Sequence, residues 1–163
     1  MITLRTIAID PHDGRITAAD YALVEKWWKS RASEAPPRNV LPTLGVISSH
    51  RDTPMAAVFA YLDATGSGIA LPAWHITDPN AHPRHAGRSL KKAIDFLHAE
   101  CARLNYWLAW TTVANPSLIS YLEVTGYQAA ESGLTHLFRP LPPLKPDTAP
   151  ETAHPSHPWE PVS

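Results

Sequence analysis

The sequence predicts an α/β (α+β) domain built on a mixed, mostly antiparallel central sheet flanked by helices, in the order β-α-β-β-β-α-β-α-β. Three observations predict it. Three strand-like runs follow one another with turn residues between them, two segments carry apolar residues at helical spacing, and an aromatic-rich strand follows the second of these.

Taken in order, Ile2, Leu4, Thr6 and Ala8 alternate as a first strand, and Asp10 to Gly14 supply turn chemistry. Thr17 can cap a helix over Ala18–Ser30, where Tyr21, Val24, Trp27 and Trp28 share a face. Pro36, Pro37 and Pro42 stiffen the connection that follows. Leu44–Ser49 and Ala56–Leu62 read as strands joined by a loop from His50 to Pro54, and Ala64 to Gly68 turns the chain into Ile69–Ile76. From Leu90, the residues Ala93, Ile94, Leu97, Cys101 and Leu104 mark a helix that packs on a sheet. Tyr106–Val113 reads as a long strand, Ser117–Thr125 as a short helix ended by Gly126, and Leu134–Phe138 as a final strand.

The domain is expected over residues 1–141 and a proline-rich tail over 142–163. Of the 17 prolines, eight lie between Pro140 and Pro161, where fixed φ and missing donors leave no periodic core pattern. Trp159 keeps open a docking role for that tail. The 14 Lys and Arg against 15 Asp and Glu give a net charge of -1, so no overall basic field argues for bulk nucleic-acid binding, although a local patch stays open. No run approaches the roughly 20 apolar residues that span a bilayer, so no membrane role is expected. The start lacks the pattern of a secretory signal, and the expected compartment is the cytoplasm. The single cysteine, Cys101, falls on an apolar helix face and is expected to be buried and inert. Nine histidines suggest metal, but His82 and His85, and His154 and His157, lie in loops without a cysteine pair, so no metal site is expected.

Two stretches carry a resemblance. Asn115 to Tyr127 resembles the signature of the GNAT superfamily of N-acetyltransferases, in which an asparagine, a helix, a tyrosine and a glycine-aromatic pair follow in order. Arg84-His85-Ala86-Gly87-Arg88-Ser89 resembles that superfamily's Arg/Gln-x-x-Gly-x-Gly/Ala pyrophosphate loop, with serine in the last place; a register two residues later fits the helix phase better and loses the arginine. The paired tryptophans Trp27 and Trp28 are similar to those of compact phage-encoded members.

The resemblance implies an acetyl-coenzyme A-dependent N-acetyltransferase. Arg84, His85, Ala86, Gly87, Arg88 and Ser89 would then hold the pyrophosphate at a helix start, where unpaired N–H groups and arginines favour anions; an ordinary capped loop is the plainer reading. Tyr121 would act as general acid toward the departing sulfur, or else pack the helix on the sheet. Asn115 would bond the pantetheine arm or cap its helix. The strand Ile69–Ile76 would run beside the acyl chain, with Ile76 in contact with it and a carbonyl-polarising N–H from around His75–Thr77. No carboxylate lies on that strand, so His75, near its ordinary pKa, is the substitute base; partial burial is its plainer reading, and Asp78 is either a base or a turn cap. Trp27, Trp28 and Trp74 are candidate acceptor contacts, with Trp107 and Trp110 also available and some of these indoles serving as core. The expected acceptor is a small amine or a modified base, and the expected state a monomer or homodimer. A non-catalytic acyl-coenzyme A-binding or protein-interaction module on the same fold is the alternative.

Overall fold

The computed structural model describes residues 1–31 and 33–130. The chain divides into two units, the first running from Met1 to Ile119 and the second beginning at Ser120. The strand expected over Leu134–Phe138 and the tail lie outside the described residues.

Five strands form one sheet in the order β1-β2-β3-β4-β5. They are β1 (Ile2–Thr6), β2 (Leu44–His50), β3 (Thr53–Leu62), β4 (Ile69–Thr77) and β5 (Leu108–Ala109), with helices α1 (Ala18–Lys29), α2 (Pro83–Arg103) and α3 (Pro116–Val124). The first four strands are antiparallel neighbours and β5 runs parallel to β4. This is the mixed, mostly antiparallel architecture that the sequence predicts.

The β2–β3 turn is tighter than the expected five-residue loop. His50 pairs with Thr53, leaving Arg51 and Asp52 as a two-residue turn with φ of 50° and 64°. Both central residues positive is the primed geometry whose twist suits a hairpin.

Strand alternation gives the sheet two buried faces. Ile47, Ala57, Phe59 and Ile76 share a cluster with Val24, Trp27 and Trp28 of α1 and with Ile7, Ile16 and Leu41. The residues between them, Val46, Ser48, Ala56, Val58 and Ala60, are also buried and face the other way, toward α2. Gly45 is required by packing: a Cβ there would come within 2.6 Å of the Phe59 ring.

Thr17 caps α1 as expected, its hydroxyl accepting from the Asp20 N–H. The Asp20 carboxylate also accepts from Arg5 at 2.9 Å and from the Ala8 N–H at 2.8 Å, which ties α1 to the first strand. Burial alone would raise the pKa of that carboxyl; the bonds from Arg5 and Ala8 outweigh it and hold the group below its ordinary value.

Two element boundaries differ from expectation. Helix α2 begins at Pro83, seven residues before Leu90, because His82 is its N-cap and Pro83 takes N1, where a missing N–H costs nothing. Its inward face, Ala86, Ser89, Ala93, Ile94, Leu97 and Cys101, keeps helical spacing from the first turn onward. Strand β5 has two residues rather than eight, for a reason that lies in β4.

Candidate active site at the open edge of β4

Strand β4 has one neighbour along its full length and loses the other partway. On its β5 side the Trp110 N–H donates to Ala70 O at 2.9 Å and the Thr111 hydroxyl to Pro72 O at 2.7 Å. Pro72 occupies the next position that should donate to β5 and has no N–H, so the ladder ends there and β5 departs. Among the described residues, no strand pairs with residues 73–77 on that side.

That open stretch contains a bulge. Phe59 pairs with Ala73 and Ala57 with Ile76, so Val58 faces both Trp74 and His75. The Asp78 N–H donates to Met55 O, and antiparallel alternation then turns the peptide group of Ile76 toward β3 and that of Thr77 to the open side. Thr77 O bears this out by accepting from Arg31 at 3.0 Å rather than from β3. The expected donor region of His75–Thr77 thus lines the edge through Thr77, while the backbone of Ile76 belongs to the ladder and its side chain to the core.

The bulge sends its two side chains to opposite faces. Trp74, at φ 54°, meets Trp28 edge to face with ring centroids 6.4 Å apart. A bulky residue at positive φ carries about 1–3 kcal/mol of strain and persists only where its surroundings over-determine it. Here the indole N–H donates to the Tyr61 hydroxyl at 2.8 Å, and that hydroxyl donates to Val40 O at 2.7 Å. His75 lies instead beside His98 of α2, with its Nε2 shielded from solvent and without a hydrogen-bond partner. Burial, and then the nearby His98, push its pKa down to about 4. The expectation of a histidine near its ordinary pKa is not met: the ring is neutral at physiological pH and a weak base.

The remaining expected residues fall at several places in the fold. Arg84 to Ser89 form the first two turns of α2, so Gly87 is a helix-interior residue rather than part of a loop, and the Pro83 start was signalled by the His-Pro pair itself. Ala86 and Ser89 are buried, whereas Arg84, His85 and Arg88 are exposed. The Arg84 N–H donates to His82 Nδ1, and those of His85 and Ala86 to His82 O. His85 stacks on His50 with centroids 4.6 Å apart and meets His82 at 5.6 Å. Desolvation, then the amino terminus, His85 and Arg51, hold His50 below its ordinary pKa. The start of α2 is therefore rich in cationic and titratable groups.

Trp27 and Trp28 are core residues, 3% and 7% exposed, which leaves Trp74 as the one of the three expected acceptor contacts with open surface, at 38%. Trp107 and Trp110 are not core: with β5 short they are exposed, and the Trp107 N–H donates to Ser67 O while its ring covers Gly68. Asn115 realises its capping alternative, Oδ1 accepting from the Leu118 N–H at 3.1 Å. Asp78 likewise accepts from the Asn80 N–H as a turn cap. Cys101 is buried, which raises its thiol pKa. In the second unit, Tyr121 is a helical residue of α3, which ends ahead of Gly126 at φ 106°. Among the described residues no three His, Cys, Asp or Glu side chains are placed to hold a metal, and no helix is long and apolar enough to cross a membrane. A shallow groove lined by Glu25, Lys29, Ser33, Glu34 and Ala35 holds none of the expected residues.

No family model and no curated protein matches the sequence. Solved structures do match. The chain is similar to an aminoglycoside acetyltransferase, HMB0005, from an uncultured soil metagenomic sample, at TM-score 0.60 and 10% identity over 87% of this chain and 99% of that one. It is similar to the ribosomal-protein-S18-alanine N-acetyltransferase from Escherichia coli at TM-score 0.56 and 16% identity, covering 80% of each chain. It is also similar to a transcriptional regulator from Bacillus halodurans C-125, at TM-score 0.58 and 14% identity over 85% of this chain and 100% of that one. The chain has the fold of the GNAT acetyltransferases.

Proposed function

We propose that this protein is an acetyl-coenzyme A-dependent N-acetyltransferase that acts on a small amine by direct transfer. The observation that carries this reading is the edge of β4, where β5 pairs only with Ile69 and Ala70 and leaves the stretch that holds the Trp74–His75 bulge and Thr77 without a strand on that side among the described residues. When bound, acetyl-coenzyme A supplies a thioester whose carbonyl carbon is the electrophile. Peptide N–H groups of the bulge and Thr77 bond the pantetheine arm and polarise the carbonyl oxygen, where preorganised donors are most effective. Arg84, Arg88 and His85, exposed at the start of α2, pair with the phosphates, while Ala86 and Ser89 seat that helix on the sheet. Gly87 leaves its backbone open to approach.

The acceptor nitrogen attacks as the free amine, the carbon–sulfur bond breaks, and Tyr121 gives its proton to the sulfur. His75 contributes through its backbone, since its shielded, weakly basic ring is poorly suited to take the ammonium proton; loss of that proton to water serves instead. The finer readings, a phage-type enzyme and a modified base as acceptor, belong to this same site.

Thermal shift tests the reading. At 100 times its dissociation constant, acetyl-coenzyme A should stabilise the protein by about 2.7 kcal/mol, and thiol release should accompany turnover of an amine panel. The absence of both stabilisation and thiol release would sink the proposal. Stabilisation without thiol release would select the non-catalytic module.

Gly87→Ala separates fold from ligand. A Cβ at Gly87 meets nothing within 4 Å, so alanine should raise stability to urea by about 0.5–1 kcal/mol. Coenzyme A affinity should fall in the same variant; unchanged affinity would remove the glycine from the phosphate site.

A further inference from the structure

We infer that Trp74 is the specificity-determining residue of the acceptor site and that the acceptor is an amine carried on a flat aromatic group. This rests on the acyl-transfer reading above. Trp74 belongs to the bulge in the stretch of β4 that β5 no longer pairs, and the acyl-transfer reading brings the attacking amine to that stretch.

The backbone at this position does not ask for tryptophan. At φ 54° glycine or asparagine would fit with less strain, so the contacts of the indole, not the backbone, account for a tryptophan here. Its orientation is held from two directions, by Trp28 against the ring and by Tyr61 on the N–H, with Tyr61 in turn held by Val40 O. Yet 38% of the residue stays exposed, whereas Trp28 is 7% exposed.

The chemistry of that exposed part is restricted. Its one donor is already engaged by Tyr61, so it recognises a partner by ring contact rather than by hydrogen bonding. The neighbouring surface is apolar as well: Leu71 pairs with Tyr61 and is 42% exposed, and Val40 is 41% exposed. A fixed indole with apolar flanks favours a planar ring and offers nothing to a polyanion.

The test compares 2-phenylethylamine with 2-cyclohexylethylamine, which have the same carbon count but differ in planarity. In the wild type kcat/KM should favour the aryl amine by about threefold to tenfold, the size expected of one aromatic contact, with the difference in KM. Trp74→Phe should retain a preference and Trp74→Leu should bring the ratio near one. Circular dichroism checks folding, and Trp74→Met replaces the leucine variant if that one does not fold. A ratio near one in the wild type, or one that survives in Trp74→Leu, overturns the inference while leaving acyl transfer intact. If neither amine is acetylated, saturation-transfer NMR on the coenzyme A-bound protein decides the inference. Selective binding of the aryl amine that is lost in Trp74→Leu supports it, and equal or absent binding overturns it.

Discussion

Tyr121→Phe is expected to lower acetyl transfer about 100-fold, the lower end of what a positioned general acid contributes, while coenzyme A affinity stays within about twofold. The phenylalanine keeps the ring and the helical position in α3 and removes only the proton donor. Without it the thiolate leaves unprotonated, and the tetrahedral intermediate collapses more slowly toward product. The loss should therefore fall on kcat and be smaller for a thioester with a more acidic thiol. Weakened coenzyme A binding with an unchanged rate would assign Tyr121 to packing instead.

The second large effect concerns acid stability. His75 has a folded pKa of about 4 against an ordinary value of 6.5. Between these values the unfolded chain binds a proton that the folded protein does not, so stability falls as pH drops from about 6.5 to about 4 and levels off for this group below that. The shift corresponds to about 3 kcal/mol, at about 1.4 kcal/mol per pH unit. His98, also lowered by burial, adds to the loss in the same direction, although Asp95 opposes its shift. Urea unfolding of the wild type and of His75→Gln across pH 7.5 to 4.5 isolates the contribution. The glutamine variant should show the shallower dependence, and parallel curves would refute the assignment.

The two effects bear on different parts of the same chemistry. If the imidazole of His75 were the base, its replacement would cut transfer by about 100-fold or more. Under the proposed mechanism the ring is a half-buried, destabilising group and the peptide is the functional part. His75→Gln should therefore retain a larger share of activity than Tyr121→Phe does.

The sequence was most legible where one residue type meets one local rule. Thr17 as a cap, the Trp27–Trp28 face and the three strand runs follow from propensity and period alone. The start of α2 was legible in principle, through Pro83 at N1, but the histidines and the glycine around it read as a loop. Expectation failed more fully at Tyr106–Val113, because an aromatic, alternating run describes a strand's preference and not its supply of partners. Trp107 and Trp110 accordingly stand exposed where alternation would have buried some of them.

By itself, then, the sequence determined the order of the elements from β1 to α3, the antiparallel meander and the face that α1 buries, since these depend on spacing along the chain. Only the tertiary structure decided which groups line the candidate site. A missing N–H at Pro72 ends a ladder only once β5 lies beside it, and an unequal register between β3 and β4 is what turns His75 inward and leaves Trp74 at the surface. Those outcomes belong to pairing between segments distant in the chain, where hydrogen-bond partners and burial are set by neighbours that no local pattern contains.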